Sequence, residues 1–474
     1  MLETRSIPAF AKGALVTDDW TAYWGQGRSS FGQMRRRRRT RSEISSPKLR
    51  QLDAAVRRKG PAAACEFWAR IERQGTPLIE KRRDSRREYW VTFLWRGDRG
   101  LRSVGLRSAL AGFVAAESEL TRLPKTNLWY RTYSIRDDFR DRYQFAVNEP
   151  LRPARDPAEE ARREKRWRTD PLNPKVIHYA LDPKLRKDLP RDFRSVRSLV
   201  ELPRAPRHPE LSPRAGVEPG RLEEHLFRSR ILNDERKVWV HIPAGVEPSR
   251  SDLRVAVFFD GFVYAHVLPG PTILDNLVAS RRIAPVLSVF LGWSMHGRSP
   301  ELCLPSPPFG RFLVDELLPW IERTHKVHLR PERTMLVGAS CGGLSALHWA
   351  AEYPEHFRLV LSQSGAFQSP DFGQFPIGMG PGEEPGRLIR TMTRRPRLPL
   401  RVWMEAGSLE GNYVLPGGVT LLAASRHMRD VLDLKGFQVT YREFNGGHNP
   451  ECWREGLVDG LVGLLGPSPK GHRL

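Results

Sequence analysis

A chain of 474 residues exceeds the size of one ordinary hydrophobic core, so two domains are expected. Its 40% hydrophobic and 9% aromatic content is typical of a globular protein, and no apolar run approaches the ~18 residues of a membrane span. The formal net charge of +23 leaves three classes of partner to consider: nucleic acid, an anionic membrane and an anionic small molecule.

The basic residues form one dense cluster, Arg35 to Arg39 with Arg41, inside a segment that has no helical or strand period. We interpret residues 1–50 as a disordered, arginine-rich tail. Elsewhere the arginines are spread evenly among Asp and Glu, which indicates compositional bias rather than a binding face. Nucleic-acid binding is therefore not expected. If it occurred through the tail, deletion of residues 1–50 would abolish it.

The four cysteines, Cys65, Cys303, Cys341 and Cys452, are scattered and show no metal-binding or disulfide spacing. The N-terminus lacks the apolar stretch of a secretory signal, and the arginine cluster is not followed by one. These features predict a reduced, cytoplasmic protein without a membrane segment.

The first half of the chain predicts a small β-domain preceded by one or two short helices. Residues 51–72 predict one or two short helices broken at Gly60-Pro61. Short alternating runs between residues 88 and 147 predict an antiparallel β-sandwich. Residues 148–215 are rich in Pro and Arg and predict an extended connection. We assign residues 51–215 to this N-terminal domain.

The pattern changes after about residue 216, where apolar strand runs alternate with amphipathic segments. Segment 308–327 shows the helical period most clearly, with these apolar residues on one face: Phe312, Leu313, Leu317, Trp320 and Ile321. Strands alternating with helices predict a mainly parallel sheet covered by helices on both faces. We expect an α/β domain over residues 216–467.

The stretch Gly338-Ala339-Ser340-Cys341-Gly342 fits G-x-S-x-G between a predicted strand and a predicted helix. This is the pattern of the nucleophile elbow of α/β-hydrolases, in which small neighbours let the chain pass a strained serine. The alternative is a tight turn that carries an inert serine. The choice depends on whether a base and an acid follow in the order that the elbow requires.

A general base is needed because a serine hydroxyl is not ionised at neutral pH. His448 follows the last predicted strand in the Gly-rich loop FNGGHNPECW, which favours it over His325, His328, His348, His356 and His427. The acid should come from the loop after the strand RVWMEAG. Glu410 lies in that loop and is favoured, whereas Glu405 lies at the strand end. A Ser–His dyad without a firm acid stays open.

Two backbone positions are candidates for an oxyanion hole. The N–H of Cys341 lies at the start of the predicted helix, where the helix dipole favours an anion. The second donor should come from the DGFVY turn, at Gly261 or Phe262, although an ordinary β-turn explains the same residues. The Cys341 thiol is expected to point away and to pack, and Cys452 is expected in the core.

Together these residues resemble the enterochelin (ferric enterobactin) esterase family. The resemblance covers roughly residues 85–465 and is carried by several stretches. They are EYWVTFLWRG, DPLNPK at 170–175, the DG pair at 260–261, RSPEL at 298–302, VGASCGGLSAL, YPEHFRLVLSQSGAF and GGHNPECWREGL.

The resemblance implies a cytoplasmic serine esterase that cleaves the triserine lactone of an imported catecholate siderophore. It also implies an immunoglobulin-like N-terminal domain. Ser340, His448 and Glu410 match the family's catalytic positions. Arg298 matches a position that either contacts substrate or holds the loop through Glu301. No metal or organic cofactor is expected, because the ferric iron would arrive with the substrate.

Two rival functions stay open. One is an esterase of the same scaffold acting on an acyl-sugar or feruloyl ester, which only a substrate profile distinguishes. The other is a siderophore-binding protein on a catalytically inactive hydrolase fold, which a serine-directed fluorophosphonate would not label. The sequence leaves open the particular siderophore and the oligomeric state.

Overall fold

A computed structural model describes residues 44–112, 115–150, 157–179, 196–293, 299–303, 306–369, 386–412 and 419–467. The arginine cluster of the predicted tail lies outside these residues. The first helix, α1, spans Pro47–Lys59, so regular structure begins before the predicted tail boundary at residue 50. The Ser46 hydroxyl accepts a hydrogen bond from the Leu49 N–H at 3.2 Å and caps the helix.

The predicted helix break at Gly60-Pro61 is confirmed, because α2 spans Ala62–Gln74. Gly60 has φ 77°, a left-handed conformation that glycine adopts without strain. Both helices bury an apolar stripe, including Leu52 and Phe67, against the first sheet.

Two four-stranded antiparallel sheets follow. Their strands are β1 (Leu78–Lys81), β2 (Glu88–Arg96), β3 (Val104–Arg107), β4 (Thr121–Arg122), β5 (Leu128–Arg136), β6 (Arg140–Val147), β7 (Val176–Ile177) and β8 (Arg197–Glu201). The strand orders are β1-β2-β5-β4 in one sheet and β3-β6-β8-β7 in the other. The sheets share one core, in which the Phe93 ring lies 4.8 Å from the Tyr143 ring. The sandwich is thus confirmed, and its immunoglobulin-like topology stays a prediction.

The prediction of an extended connection over residues 148–215 is wrong in part. One short helix, α4 (Pro157–Glu164), lies in this region, and another, α3 (Ala115–Ser118), precedes it between β3 and β4. Strands β7 and β8 also fall within the Pro- and Arg-rich region, and β8 pairs with β6. The strands were missed because they contain only two and five residues, too few to display a period among prolines and arginines.

The second half of the chain forms an eight-stranded sheet. Its strands are β9 (Arg221–Ser229), β10 (Asp234–Ile242), β11 (Arg254–Phe258), β12 (Val286–Leu291), β13 (Thr334–Ala339), β14 (Leu359–Gln363), β15 (Arg401–Gly407) and β16 (Gln438–Phe444). Their order across the sheet is β16-β15-β14-β13-β11-β12-β10-β9. Strands β11 to β16 pair in parallel, whereas β9 and β10 join antiparallel at one edge. The prediction of a mainly parallel sheet is confirmed.

Helices cover both faces of this sheet. They are α5 (Gly270–Ala279), α6 (Pro307–Arg311), α7 (Leu318–His325), α8 (Cys341–Glu352), α9 (Arg387–Arg394), α10 (Leu421–Leu434) and α11 (Pro450–Leu465). A π-helical turn, Phe312–Leu317, joins α6 to α7, so the predicted helix over 308–327 is confirmed. Alternate residues of β13 enter separate cores, Leu336 on one face and Val337 on the other. Among the described helices, none has the length and apolar character that crossing a membrane requires.

Candidate active site

Ser340 occupies the turn between β13 and α8, with φ 56° and ψ −119°. Residues other than glycine rarely adopt a positive φ, and such strain persists only where the surrounding structure enforces it. Two backbone hydrogen bonds enforce this conformation at Ser340. The Ser340 N–H donates to the Gln363 carbonyl, and the Ala366 N–H donates to the Ser340 carbonyl, both at 2.9 Å. The structure therefore holds this serine in a fixed, strained conformation.

The glycines around Ser340 are required because neighbouring atoms leave no room for a Cβ at these positions. A Cβ at Gly338 would lie 2.3 Å from the carbonyl carbon of Gly342. A Cβ at Gly342 would lie 2.9 Å from Asp260 Oδ2, on the turn after β11. The first contact could be relieved only by moving backbone, and the second only by moving the Asp260 side chain. The spacing Gly-x-Ser-x-Gly therefore reflects packing on both sides of the serine.

His448 and Glu410 are brought together by the two strands that flank them. Glu410 lies in the 3-10 turn Ser408–Asn412 after β15, and His448 lies in the loop after β16. His448 Nδ1 is 2.8 Å from Glu410 Oε1, and Glu410 Oε2 accepts a hydrogen bond from the Gly407 N–H at 3.0 Å. The Glu410 side chain is completely buried. A carboxylate bonded to Nδ1 fixes the imidazole tautomer and orients Nε2.

Glu405, the other candidate acid, has a different environment. Its Oε1 accepts a hydrogen bond from Gln363 Nε2 at 2.7 Å, and its Oε2 lies against Gly456 of α11. Burial raises the pKa of Glu405 to about 7, although Arg442 opposes this shift. Glu405 thus connects β14, β15 and α11 beneath the sheet edge, whereas Glu410 contacts the histidine.

A chain of contacts joins the histidine loop to the serine turn. The His448 ring meets the Trp453 ring edge-on, with 4.9 Å between centroids. Trp453 Nε1 donates to Ser364 Oγ at 2.9 Å, two residues before the Ala366 N–H that binds Ser340. Since the parallel strands end at one sheet edge, Ser340, Glu410 and His448 all follow the carboxyl ends of their strands there.

The predicted oxyanion residues lie beside this turn. Cys341 is the first residue of α8, the helix end at which backbone N–H groups point outward. Gly261 and Phe262 follow β11, the strand that pairs with β13. A Cβ at Gly261 would lie 2.3 Å from the carbonyl carbon of Phe290, so only glycine fits between this turn and β12. The neighbouring Asp260 is fixed by a 2.6 Å hydrogen bond from Trp293 Nε1.

The expectation of unpaired cysteines is wrong, because Cys303 and Cys341 form a disulfide. The bond joins the segment Ser299–Cys303 to the residue after Ser340, and their sequence separation of 38 gives no spacing signal. A second tie is the hydrogen bond from Ser345 Oγ to the Leu302 carbonyl at 2.6 Å. Cys65 is an exposed free thiol, and the expected burial of the Cys452 thiol is confirmed.

Arg298 lies outside the described residues, and its predicted role stays a prediction. Its proposed partner Glu301 is held by Arg236 of β10, whose two terminal guanidinium nitrogens reach the Glu301 carboxylate at 2.8 and 3.0 Å. Arg236 also bonds Asp234, and its side chain is completely buried. No sequence pattern predicts this pair, because Arg236 has the same context as any other arginine of a charged strand.

The N-terminal domain contributes to the histidine loop. Asn449, which caps α11, donates from Nδ2 to Asp141 Oδ1 at 2.7 Å. Asp141 is completely buried on β6, and burial raises its pKa to about 6. A Cβ at Gly447 would lie 2.2 Å from the Ala109 Cβ. These contacts join residues more than 300 positions apart in the sequence, and the sequence analysis did not predict them.

Comparison with known families supports this architecture. The model of the Esterase family matches residues 229–464, and that of "Enterochelin esterase, N-terminal" matches residues 90–211. The iron(III) enterobactin esterase of Dickeya dadantii is 28% identical over 84% of this chain and 92% of its own. The iron(III) salmochelin esterase of Escherichia coli O6:H1 is 26% identical over 84% and 93%.

A solved structure gives the same result. The enterobactin esterase from Shigella flexneri, crystallised in the presence of enterobactin, aligns with a TM-score of 0.61 at 26% identity, over 82% of this chain and 95% of that one. Fold, site and similarity define a carboxylic ester hydrolase built on an α/β-hydrolase domain. The models of the N-terminal and esterase domains match this chain in succession, and the chain belongs to the enterochelin esterase family.

Proposed function

We propose that this chain is a serine esterase that hydrolyses the ester bonds of a catecholate siderophore such as ferric enterobactin. The observation that carries the proposal is the buried Glu410–His448 hydrogen bond at the same sheet edge as the strained Ser340. The match of both family domains supports the substrate class, since the named relatives are esterases of iron(III) siderophores.

In this mechanism His448 Nε2 takes the proton of Ser340 Oγ as the oxygen attacks a lactone carbonyl. Glu410 holds the imidazole through Nδ1 and stabilises its charged form. The tetrahedral oxyanion is stabilised by the N–H groups of Cys341 and of the Gly261-Phe262 turn. His448 then protonates the departing oxygen of the substrate serine, which leaves as a hydroxyl and forms the acyl enzyme.

The second half of the cycle repeats these roles with water as the nucleophile. His448 takes a proton from water, the resulting hydroxide attacks the acyl carbonyl, and Ser340 departs with a proton from the same imidazole. Both half-reactions use the chain's own side chains and backbone. The ferric iron is part of the substrate, and its release follows cleavage of the siderophore. We propose that this takes place in the cytoplasm, where iron from an imported siderophore is used.

Product analysis tests the proposal. Purified chain and Ser340→Ala are incubated with ferric enterobactin, iron-free enterobactin and ferric salmochelin, and the products are separated by chromatography and identified by mass. Ser280→Ala, at the end of α5, is a matched control that makes the same chemical change away from the site. We expect dihydroxybenzoylserine monomer, dimer or linear trimer from the native chain and the control. Ser340→Ala should lose on the order of 10⁶ in kcat.

The contrary result is also specific. Hydrolysis of a simple aryl ester without cleavage of any catecholate siderophore would retain the Ser340 chemistry and contradict the substrate. Equal siderophore cleavage by native chain and Ser340→Ala would contradict the nucleophile.

A further inference from the structure

Three side chains with metal-binding chemistry converge at the outer edge of the large sheet, away from the candidate active site. They are Glu223 and His225 on the edge strand β9 and His325, the last residue of α7. Their ligand atoms all lie within 4.8 Å of one another. Two imidazoles and one carboxylate form a frequent donor set for divalent transition metals.

The strand period explains why two of these residues point the same way. Glu223, His225 and Phe227 alternate with exposed neighbours along β9, so their side chains share the face that packs on the helix. Phe227 is buried there, with its ring 5.4 Å from the Trp320 ring of α7. The packing of Phe227 therefore sets the register that brings His225 over the end of α7.

Trp320 also fixes the two imidazoles. Its ring lies edge-on to both, 5.2 Å from His225 and 5.7 Å from His325, and the two histidine rings are 5.8 Å apart. An aromatic wall of this kind excludes water from one side of the cluster and limits rotation of the rings. Metal-ligating histidines require such orientation.

One ring nitrogen of each histidine in this cluster lacks a hydrogen-bond partner. His225 Nε2 and His325 Nε2 are both buried with no hydrogen bond in the structure. Buried polar atoms are almost always paired, so two unpaired ring nitrogens in one cluster require an explanation. His225 Nε2 lies 3.5 Å from Glu223 Oε2, which is longer than a good hydrogen bond. Two ligands bound tetrahedrally at about 2.0–2.1 Å from Zn²⁺ are about 3.4 Å apart.

The charges around the cluster are compatible with a cation. Arg221 Nε binds Glu223 Oε1 at 2.5 Å, so the other carboxylate oxygen faces His225. Burial lowers the pKa of His325, with smaller contributions from His225 and Arg221, while Glu223 opposes the shift. Burial favours the neutral imidazole, which is the form that binds metal. About 30% of the His225 and Glu223 side chains is exposed, which gives an ion access from solvent.

We propose that Glu223, His225 and His325 bind a divalent transition-metal ion, with Zn²⁺ the best fit and water completing the tetrahedron. The ion would tie the edge strand β9 to the end of α7. Because β9 is four strands from β13 in the sheet, roughly 20 Å along it, the ion would take no part in ester chemistry. The expectation that hydrolysis requires no metal is unaffected.

Equilibrium dialysis tests the site directly. Untagged, chelator-stripped chain is dialysed against Zn²⁺ at neutral pH, and bound metal is measured by mass spectrometry. We expect one equivalent at micromolar free Zn²⁺, and at least a 100-fold weaker affinity for that equivalent in His225→Gln and His325→Gln. His328→Gln is the matched control, because His328 is three residues away and its side chain is 81% exposed. The control should bind like the native chain.

Thermal melting provides a second readout. Saturating Zn²⁺ should raise the Tm of the native chain and of His328→Gln by several degrees and leave that of His225→Gln unchanged. If His325→Gln does not fold, Glu223→Gln and His225→Gln, which alter half-buried side chains, still decide the matter. No stoichiometric Zn²⁺ binding by the native chain, or equal binding by the native chain and the three cluster variants, would overturn the site.

Discussion

The serine turn and the histidine loop meet at the same edge of the sheet, but different parts of the chain hold them there. The backbone of the turn is shaped chiefly by neighbours in its own α/β domain, with Gly338 packed on Gly342 of α8 and Gly342 on Asp260 of the turn after β11. The loop is shaped by the N-terminal sandwich, through Ala109 against Gly447 and Asp141 on Asn449. The sandwich therefore supports the loop that carries the histidine of the candidate active site.

After the loss of Ser340 itself, the largest expected effect comes from the carboxylate that contacts His448. Glu410→Gln keeps the size of the side chain but removes the charge that fixes the imidazole tautomer. We expect kcat for both an aryl ester and ferric enterobactin to fall by about 10²- to 10⁴-fold. Steady-state kinetics measure this, with far-UV circular dichroism to verify the fold. Activity within threefold of native would contradict the pairing.

The next largest expected effect tests whether the N-terminal sandwich positions the loop that carries His448. Gly447→Ala places a Cβ 2.2 Å from the Ala109 Cβ and must displace the loop that carries His448. We expect kcat to fall by about 10- to 100-fold, because small misplacements of a catalytic group are costly. The control is the double variant Ala109→Gly with Gly447→Ala.

Removal of the Ala109 methyl leaves Asp141 Oδ1 at 3.5 Å as the nearest atom to the new Cβ, an ordinary contact. The double variant should therefore recover most of the lost kcat, whereas Ala109→Gly alone should change little. Failure of the double variant to recover activity would show that the sandwich does not set the position of the loop.

The third effect concerns the disulfide that joins the serine turn to Cys303. Replacing Cys303 and Cys341 together by Ser removes a bond of sequence separation 38, and the free energy of unfolding should fall by about 3–4 kcal/mol. The expected change in kcat is less than tenfold, since the backbone N–H at position 341 is retained. Urea denaturation measures the stability, and four titratable thiols in non-reduced, denatured chain, instead of two, would contradict the bond.

The smallest effect separates the two candidate acids. Burial raises the pKa of Glu405 to about 7 in the folded chain from about 4.5 when unfolded, so the folded state binds more protons between these values and loses stability as pH rises through them. Glu405→Gln removes this loss. Its stability relative to native should rise by about 1–3 kcal/mol from pH 4.5 to 7.5, with kcat little changed. A pH-independent difference in urea denaturation would contradict the assignment.

The sequence predicted those features that depend on short stretches of chain. The parallel sheet, the helix over 308–327 and the position of Ser340 follow from periods and from one five-residue pattern. The Glu410–His448 contact required the known order of the α/β-hydrolase elements. The Cys303–Cys341 disulfide, the Arg236–Glu301 pair and the Asp141–Asn449 bond join positions far apart in the chain. No local pattern encodes such contacts, because each depends on the completed packing.

Site-directed labelling tests the central claim most directly. The native chain is treated with a fluorophosphonate in the absence and presence of saturating ferric enterobactin, and the modified peptide is identified by mass spectrometry. We predict one adduct, on the peptide that contains Ser340, and a labelling rate that falls several-fold with the siderophore bound. An adduct elsewhere, no adduct, or a rate indifferent to ferric enterobactin would contradict a siderophore esterase that uses Ser340 as its nucleophile.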